Sequence, residues 1–266
     1  MAEQVRRAPQ AYLNNLLLDR GLFSGFAART FFQSMMSRHL GRRLLAAAGR
    51  YPARVQPPEQ IGFATFYELT GVDLVITGVN ISKGIPAMFS RRLTPDFPVV
   101  DAVTIFMSLP ILFKPAYVEA EVPVTAFNPD PQAYQGFWVD GGVLNNVPMY
   151  AFDDNFTAAS KASTLAPLNP QVVGLRLTPG APGQPPPPFA DPASTGLGIF
   201  LKGMAETLLY PSEQGQLLTC AEIEQTIDLH TYDLQLTEFA PPPSQSAEPI
   251  ANAERSVLGY FNPGLH

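Results

Sequence analysis

Between Gln10 and Arg50 apolar residues recur at helical spacing: Leu13, Leu16 and Leu17, then Phe31, Met35, Leu40, Leu44 and Leu45. That period predicts two helices interrupted at Gly21 to Gly25, where two glycines fall within five residues. Pro52, Pro57 and Pro58 end this helical part, because proline supplies no amide donor and blocks the preceding turn. After Thr65-Phe66-Tyr67-Glu68-Leu69-Thr70, Gly71 reads as a helix stop. The apolar run Asp73-Leu74-Val75-Ile76-Thr77-Gly78-Val79 then predicts a buried strand. A second short strand is expected around Met88-Phe89-Ser90. Pro98 to Met107 has the pattern of a helix with proline in its first turn, closed by Ser108-Leu109-Pro110.

Ala116 to Phe127 alternates as a strand or hairpin arm. Asn128-Pro129-Asp130-Pro131 is turn chemistry, and Gly136-Phe137-Trp138-Val139 reads as a strand with Asp140 at its exit. Asn146 is placed to cap a helix whose second residue is Pro148 and which runs through Phe152. Further on, the pattern predicts a strand over Gln171 to Leu177, a proline-rich surface loop over 179–192 and a long helix over 197–221. A last strand over Ile227 to Tyr232, a linker at Pro241-Pro242-Pro243 and a helix over Ala251 to Phe261 complete the chain. Helices alternating with short apolar strands predict an α/β domain in layers.

A chain of 266 residues with 46% hydrophobic residues can bury one sizeable core. No run reaches the roughly 18 consecutive apolar residues of a membrane-spanning helix, and the first thirty residues lack the order of a secretory leader. The expected location is therefore cytoplasmic or at a membrane surface, with leaderless secretion left open. The single Cys220 can form no disulfide within the chain and suits a structural place on a helix. The net charge of −6 is unevenly distributed: residues 1–54 hold nine arginines against Glu3 and Asp19, or +7, so the rest carries −13. Basic helices containing Phe31, Phe32, Met35 and Met36 can touch anionic headgroups, although a solvated helix face is the commoner use of such a pattern. Nucleic acid is not an expected partner of so acidic a chain without an aromatic and basic platform.

Candidate chemistry centres on Asp140-Gly141-Gly142. A short acid leaving a buried strand, followed by two residues without Cβ, puts a carboxylate beside a cleft and leaves room for another backbone. Such a carboxylate can act as a general base, whereas the tripeptide alone is more often an ordinary turn. His39, His230 and His266 stand in no triad pattern and lack metal-ligand spacing, so neither a metal nor a cofactor is expected.

The stretch from Thr65 to Asp153 resembles the patatin-like phospholipase family. The likeness is carried by Thr65 to Gly71 with the following Asp73-Leu74-Val75-Ile76-Thr77, by Ser108-Leu109-Pro110-Ile111-Leu112-Phe113, and most specifically by Asp140-Gly141-Gly142-Val143-Leu144-Asn145-Asn146-Val147-Pro148. Gly21-Leu22-Phe23-Ser24-Gly25 is similar to a further loop of that family. The resemblance implies a central, mostly parallel sheet flanked by helices. It also implies a lipid acyl hydrolase, of phospholipase A or esterase type, in which a serine on a Gly-x-Ser-x-Gly elbow attacks the ester. Asp140 would accept the serine's proton as general base, Gly141 and Gly142 would support the motif, and a glycine-rich loop would stabilise the oxyanion.

The 266 residues contain no Gly-x-Ser-x-Gly and no such glycine-rich loop, so neither nucleophile nor oxyanion donors can be named. Ser24 has Leu22 and Phe26 where an elbow needs minimal side chains, and reads as a helix-capping loop serine. Ser108 reads as a helix-terminus residue. The expectation is a domain over residues 1–180 lacking its N-terminal strands, with residues 181–266 as an extension packed on it. Such a chain would be inactive alone and its unpaired sheet edges prone to association. A pseudoenzyme that binds lipid or a protein partner is the alternative.

Overall fold

The computed structural model describes residues 7–50, 57–123, 125, 126, 128, 130–152, 169–184, 203, 204, 220–234 and 241–262. These fall into two compact units, residues 7–144 and the residues from Asn145 onward.

In the first unit, helices α1 (Pro9–Asp19) and α2 (Phe26–Arg50) flank the short strand β1 (Gly21–Phe23), as the glycine interruption predicts. Helix α3 (Phe63–Thr70) stops at Gly71, whose φ of 74° is cheap only without a side chain; its amide closes the last turn on the Tyr67 carbonyl at 2.8 Å. Strands β2 (Val75–Asn80) and β3 (Ile85–Ser90) follow, then α4 (Val99–Phe106), β4 (Ile111–Phe113), β5 (Ala116–Val118) and β6 (Gly136–Asp140).

The alternation of helices and strands makes the chain an α/β protein. Its largest sheet has the order β3-β2-β6-β5. All three ladders of that sheet are antiparallel. Parallel pairing, expected of the central sheet, is found instead in two two-stranded ladders, β1 with β4 and β7 with β8. For β2 and β3 the reason is connection length: the four residues Ile81 to Gly84 between them permit only a hairpin, whereas a parallel neighbour needs a crossover of a dozen residues or more.

Of the strand expected over Ala116 to Phe127, the described residues form only Ala116–Val118. Pro123 offers no ladder donor, and the Val122 amide leaves the strand to bond the Pro131 carbonyl at 3.0 Å.

The core of this unit lies where β2, β3 and β6 meet α4. Phe63, Ile76, Phe89, Val99, Ile105, Tyr134 and Trp138 are buried together. Phe89 stands edge-on to Trp138 at 5.0 Å and to Tyr134 at 5.1 Å, while Tyr134 stacks on Trp138 at 5.7 Å. Both polar tips are satisfied: Trp138 Nε1 donates to the Tyr134 carbonyl at 2.8 Å and Tyr134 Oη to the Met88 carbonyl at 2.7 Å.

In the second unit, β7 (Gly174–Thr178) pairs with β8 (Thr226–His230), preceded by α5 (Cys220–Glu224) and followed by α6 (Pro243–Phe261). Arg176 grips Asp228 with Nε to Oδ1 at 2.6 Å and Nη2 to Oδ2 at 2.9 Å. The helix expected after Asn146 is a single 3-10 turn, Met149–Phe152. The terminal helix starts eight residues earlier than expected, because Pro243 is its first residue rather than part of a linker; its missing amide is one that no helix could satisfy there. The loop prolines 185–188, most of the helix expected over 197–221, and His266 lie outside the described residues.

Candidate active site

The site begins with β6, whose buried residues Trp138 and Val139 anchor it between β2 and β5 and leave Asp140 as its last residue, opposite Gly78. The Asp140 amide donates to the Ser108 carbonyl at 3.1 Å, so the loop that closes α4 holds the backbone of the acid. Its side chain then turns back on its own chain. Oδ1 accepts the Gly142 amide at 2.8 Å, and this Asx turn opens the 3-10 turn Gly141–Val143.

The two glycines serve different ends. A Cβ on Gly141 would lie 2.7 Å from the Thr77 Cβ and 2.8 Å from the Thr77 carbonyl carbon, with Thr77 Oγ1 closer still. Only a residue without a side chain lets the turn lie against β2. Gly142 gives the amide that fixes the carboxylate. Gly141→Ala is therefore expected to destabilise the first unit by about 2 to 3 kcal/mol, the scale of an overpacked interior. Thr77→Ala should not rescue it, since the obstructing atoms include backbone; recovery of the melting temperature in the double variant would contradict this packing.

Asp140 is almost wholly buried, at 6% exposure. Burial pushes its carboxyl up to about 6, against a smaller downward pull from the Gly142 amide. Among the described residues no other donor reaches the carboxylate. One oxygen is thus held and the other is left to accept a proton, at a basicity matched to neutral pH.

The serines singled out in the sequence do not complete the site. Ser108 sits beside Asp140 through its backbone, but its hydroxyl is buried and donates to the Thr104 carbonyl at 2.7 Å, as suits a helix terminus. Ser24 is exposed, and its Oγ accepts the Phe26 amide at 3.3 Å at the start of α2. Of the histidines, His39 is exposed on α2 and His230 lies on β8. Among the described residues no group of three or more His, Cys, Asp or Glu is arranged to hold a metal ion.

Two contributors were not visible in the sequence. Thr77 is an ordinary strand residue until the turn is seen to lie on it. Asn80 is completely buried, donating to the Gln135 carbonyl at 2.8 Å and accepting the Ser82 and Lys83 amides at 3.1 and 3.2 Å, and so ties the β2–β3 turn to the start of β6. A polar residue at the end of an apolar strand, just before a turn, was the available signal. A groove of about 630 Å³ opens in the same unit, lined by Arg29, Phe97, Asp101, Tyr117 and neighbours, and Asp140 is not part of it.

A viral relative, "Probable lipid hydrolase 463L" of Invertebrate iridescent virus 6, is 29% identical over 89 residues, which are 34% of this chain and 26% of the relative. The chain thus matches only about a quarter of that relative's length. Among solved structures, VipD from Legionella pneumophila aligns with 76% of this chain and 35% of its own at 15% identity, with a TM-score of 0.44. A family model described as "Patatin-like phospholipase" matches residues 3–153. That match covers more than half of the sequence and contains β2, α4, β6 and the whole Asp140-Gly141-Gly142 turn, and the chain belongs to the patatin-like phospholipase family.

Proposed function

We propose that this chain carries the basic half of a serine–aspartate acyl hydrolase site, with Asp140 as the proton acceptor and a lipid or other acyl ester as substrate. The observation that carries the reading is the Asp140 carboxylate, buried at a strand exit, held through one oxygen by Gly142 and pushed by burial to a neutral-range basicity. The viral relative is described as a probable lipid hydrolase, which supports the substrate class. On this reading the attacking serine and the oxyanion donors would be supplied by residues other than these 266, among which no Gly-x-Ser-x-Gly occurs.

A fluorophosphonate probe is accordingly expected to leave this chain unlabelled. Stoichiometric labelling of Ser24 or Ser108 would overturn the division of labour. In a protein that joins these residues to a Gly-x-Ser-x-Gly elbow, ester hydrolysis should appear together with labelling of the elbow serine. The missing elbow equally favours a second reading, a pseudoenzyme that binds lipid or a protein partner. Binding of a diacyl phospholipid by the joined protein without turnover, and with its serine unlabelled, selects that reading.

A further inference from the structure

Two consecutive helices of the first unit turn much of their apolar surface to solvent. On α1, Tyr12 and Leu16 are half-buried, Tyr12 against Phe23 with ring centroids 5.3 Å apart, while Leu13, Leu17 and Leu18 are exposed. On α2, Met36 and Leu40 pack with Ile61 and Phe66, and Phe26 and Phe31 remain outside. Among the described residues the three most exposed large hydrophobic side chains are Leu18 at 77%, Phe26 at 71% and Leu17 at 70%. Single exposed leucines are normal on protein surfaces; their concentration within ten residues is not.

The charge of the same stretch selects what covers them. From Arg7 to Arg50 there are seven arginines and one acid, Asp19. Among the described residues Asp19 is itself engaged by Lys114 Nζ at 2.9 Å, and Arg29 is engaged by the carboxylate of Asp101. Arg20 and Arg38 are exposed. Among the described helices α6 also exposes apolar side chains, Ile250, Leu258 and Phe261, and it carries Glu248 and Glu254 against Arg255. Of these described helices, it is α2 whose exposed apolar residues coincide with a cationic excess, since Phe26–Arg50 holds five arginines and no acid, and the exposed Arg20 stands between it and α1. Hydrocarbon side chains that enter the headgroup boundary beside guanidinium groups at phosphate level are suited to an anionic bilayer.

We infer that the exposed faces of α1 and of the first turns of α2 dock this protein onto anionic phospholipid bilayers. The inference deepens the acyl hydrolase reading by naming the surface that meets the lipid. Docking needs no turnover, so the two stand or fall separately.

The test is sedimentation of the 266-residue chain with vesicles of phosphatidylcholine alone or with phosphatidylserine added. Binding is expected to the mixed vesicles, about tenfold or more above the neutral ones, and to weaken with added salt. The surface variant Leu17→Gln/Leu18→Gln/Phe26→Gln should lose about tenfold or more of that binding with an unchanged circular dichroism spectrum. Arg38→Glu should weaken binding to the mixed vesicles alone, and Leu258→Gln/Phe261→Gln should change nothing. Equal binding to both vesicle types, no binding to either, or full binding by the triple variant overturns the proposal. So does a vesicle-free dimer that the triple variant dissolves, which would make a second copy of the chain the occupant.

Discussion

Replacement of Asp140 by asparagine is expected to make the folded chain more stable above neutral pH while abolishing any hydrolysis in a protein that also holds the serine. The sign follows from which state holds the proton more tightly. The carboxyl is raised to about 6 in the folded chain from an ordinary 3.8, so the folded state binds the proton more tightly than the unfolded one. Its contribution is therefore most favourable below about pH 4, is lost as pH rises from about 4 to about 6, and stays unfavourable above. A rise of that size corresponds to about 3 kcal/mol, and the new amide NH₂, placed where a poorly solvated oxygen stood, takes back part of that.

A net gain of about 1 to 2 kcal/mol at pH 8, shrinking to nothing near pH 4, is the expected difference between variant and parent. Urea titrations read it directly, with fluorescence of Trp138 as the probe. Trp138 is the single tryptophan and lies two residues from the site. A gain of the same size at every pH would show that the carboxyl carries no burial penalty. The Gly142 amide keeps its acceptor in the variant, so the loss of hydrolysis would reflect proton transfer rather than a collapsed turn. A residue whose removal improves stability and ends catalysis is the expected signature of a site that holds a charge against its own desolvation.

The largest expected loss of stability is that of Trp138→Ala. The side chain is completely buried, contacts both Phe89 and Tyr134, and donates to the Tyr134 carbonyl. Removing it leaves a cavity between sheet and helix and an unpartnered carbonyl, a change worth about 3 to 5 kcal/mol. That is much of a typical domain's stability, so β6 and the Asp140 turn should melt together near ambient temperature. Tyr117→Ala on the adjacent edge strand serves as the comparison. It is 61% exposed and should stay within about 0.5 kcal/mol of the parent. Thermal melting followed by circular dichroism distinguishes the two, and a Trp138→Ala protein within about 1 kcal/mol of the parent would remove the aromatic cluster from its place as the core.

Much of this was legible along the chain because the relevant signals are local. Gly71 stops α3 through its own backbone conformation. Pro98 precedes α4 because of its fixed φ, and the apolar run after Asp73 becomes β2. Asp140-Gly141-Gly142 could be located at a strand exit from the neighbouring residues alone. The segments that depart from expectation are those in which a distant partner overrides local pattern. Ala116 to Phe127 alternates like a strand, yet Val122 leaves the edge to bond Pro131, and Pro243 looks like linker until a helix is seen to start on it.

The place of Asp140 at a strand exit and the lack of a Gly-x-Ser-x-Gly among these residues follow from neighbours in the chain, and the amino-acid order was enough to read them, while its part as a base came with the likeness to the family. Three-dimensional packing was needed for the antiparallel order of the main sheet, the contact with Thr77 that requires glycine at position 141, and the burial that tunes Asp140. It was needed as well to show that Leu17, Leu18 and Phe26 face outward rather than inward. Periodicity records that a helix has an apolar side, but what lies against that side, and whether water reaches a carboxylate, is set by segments tens of residues away.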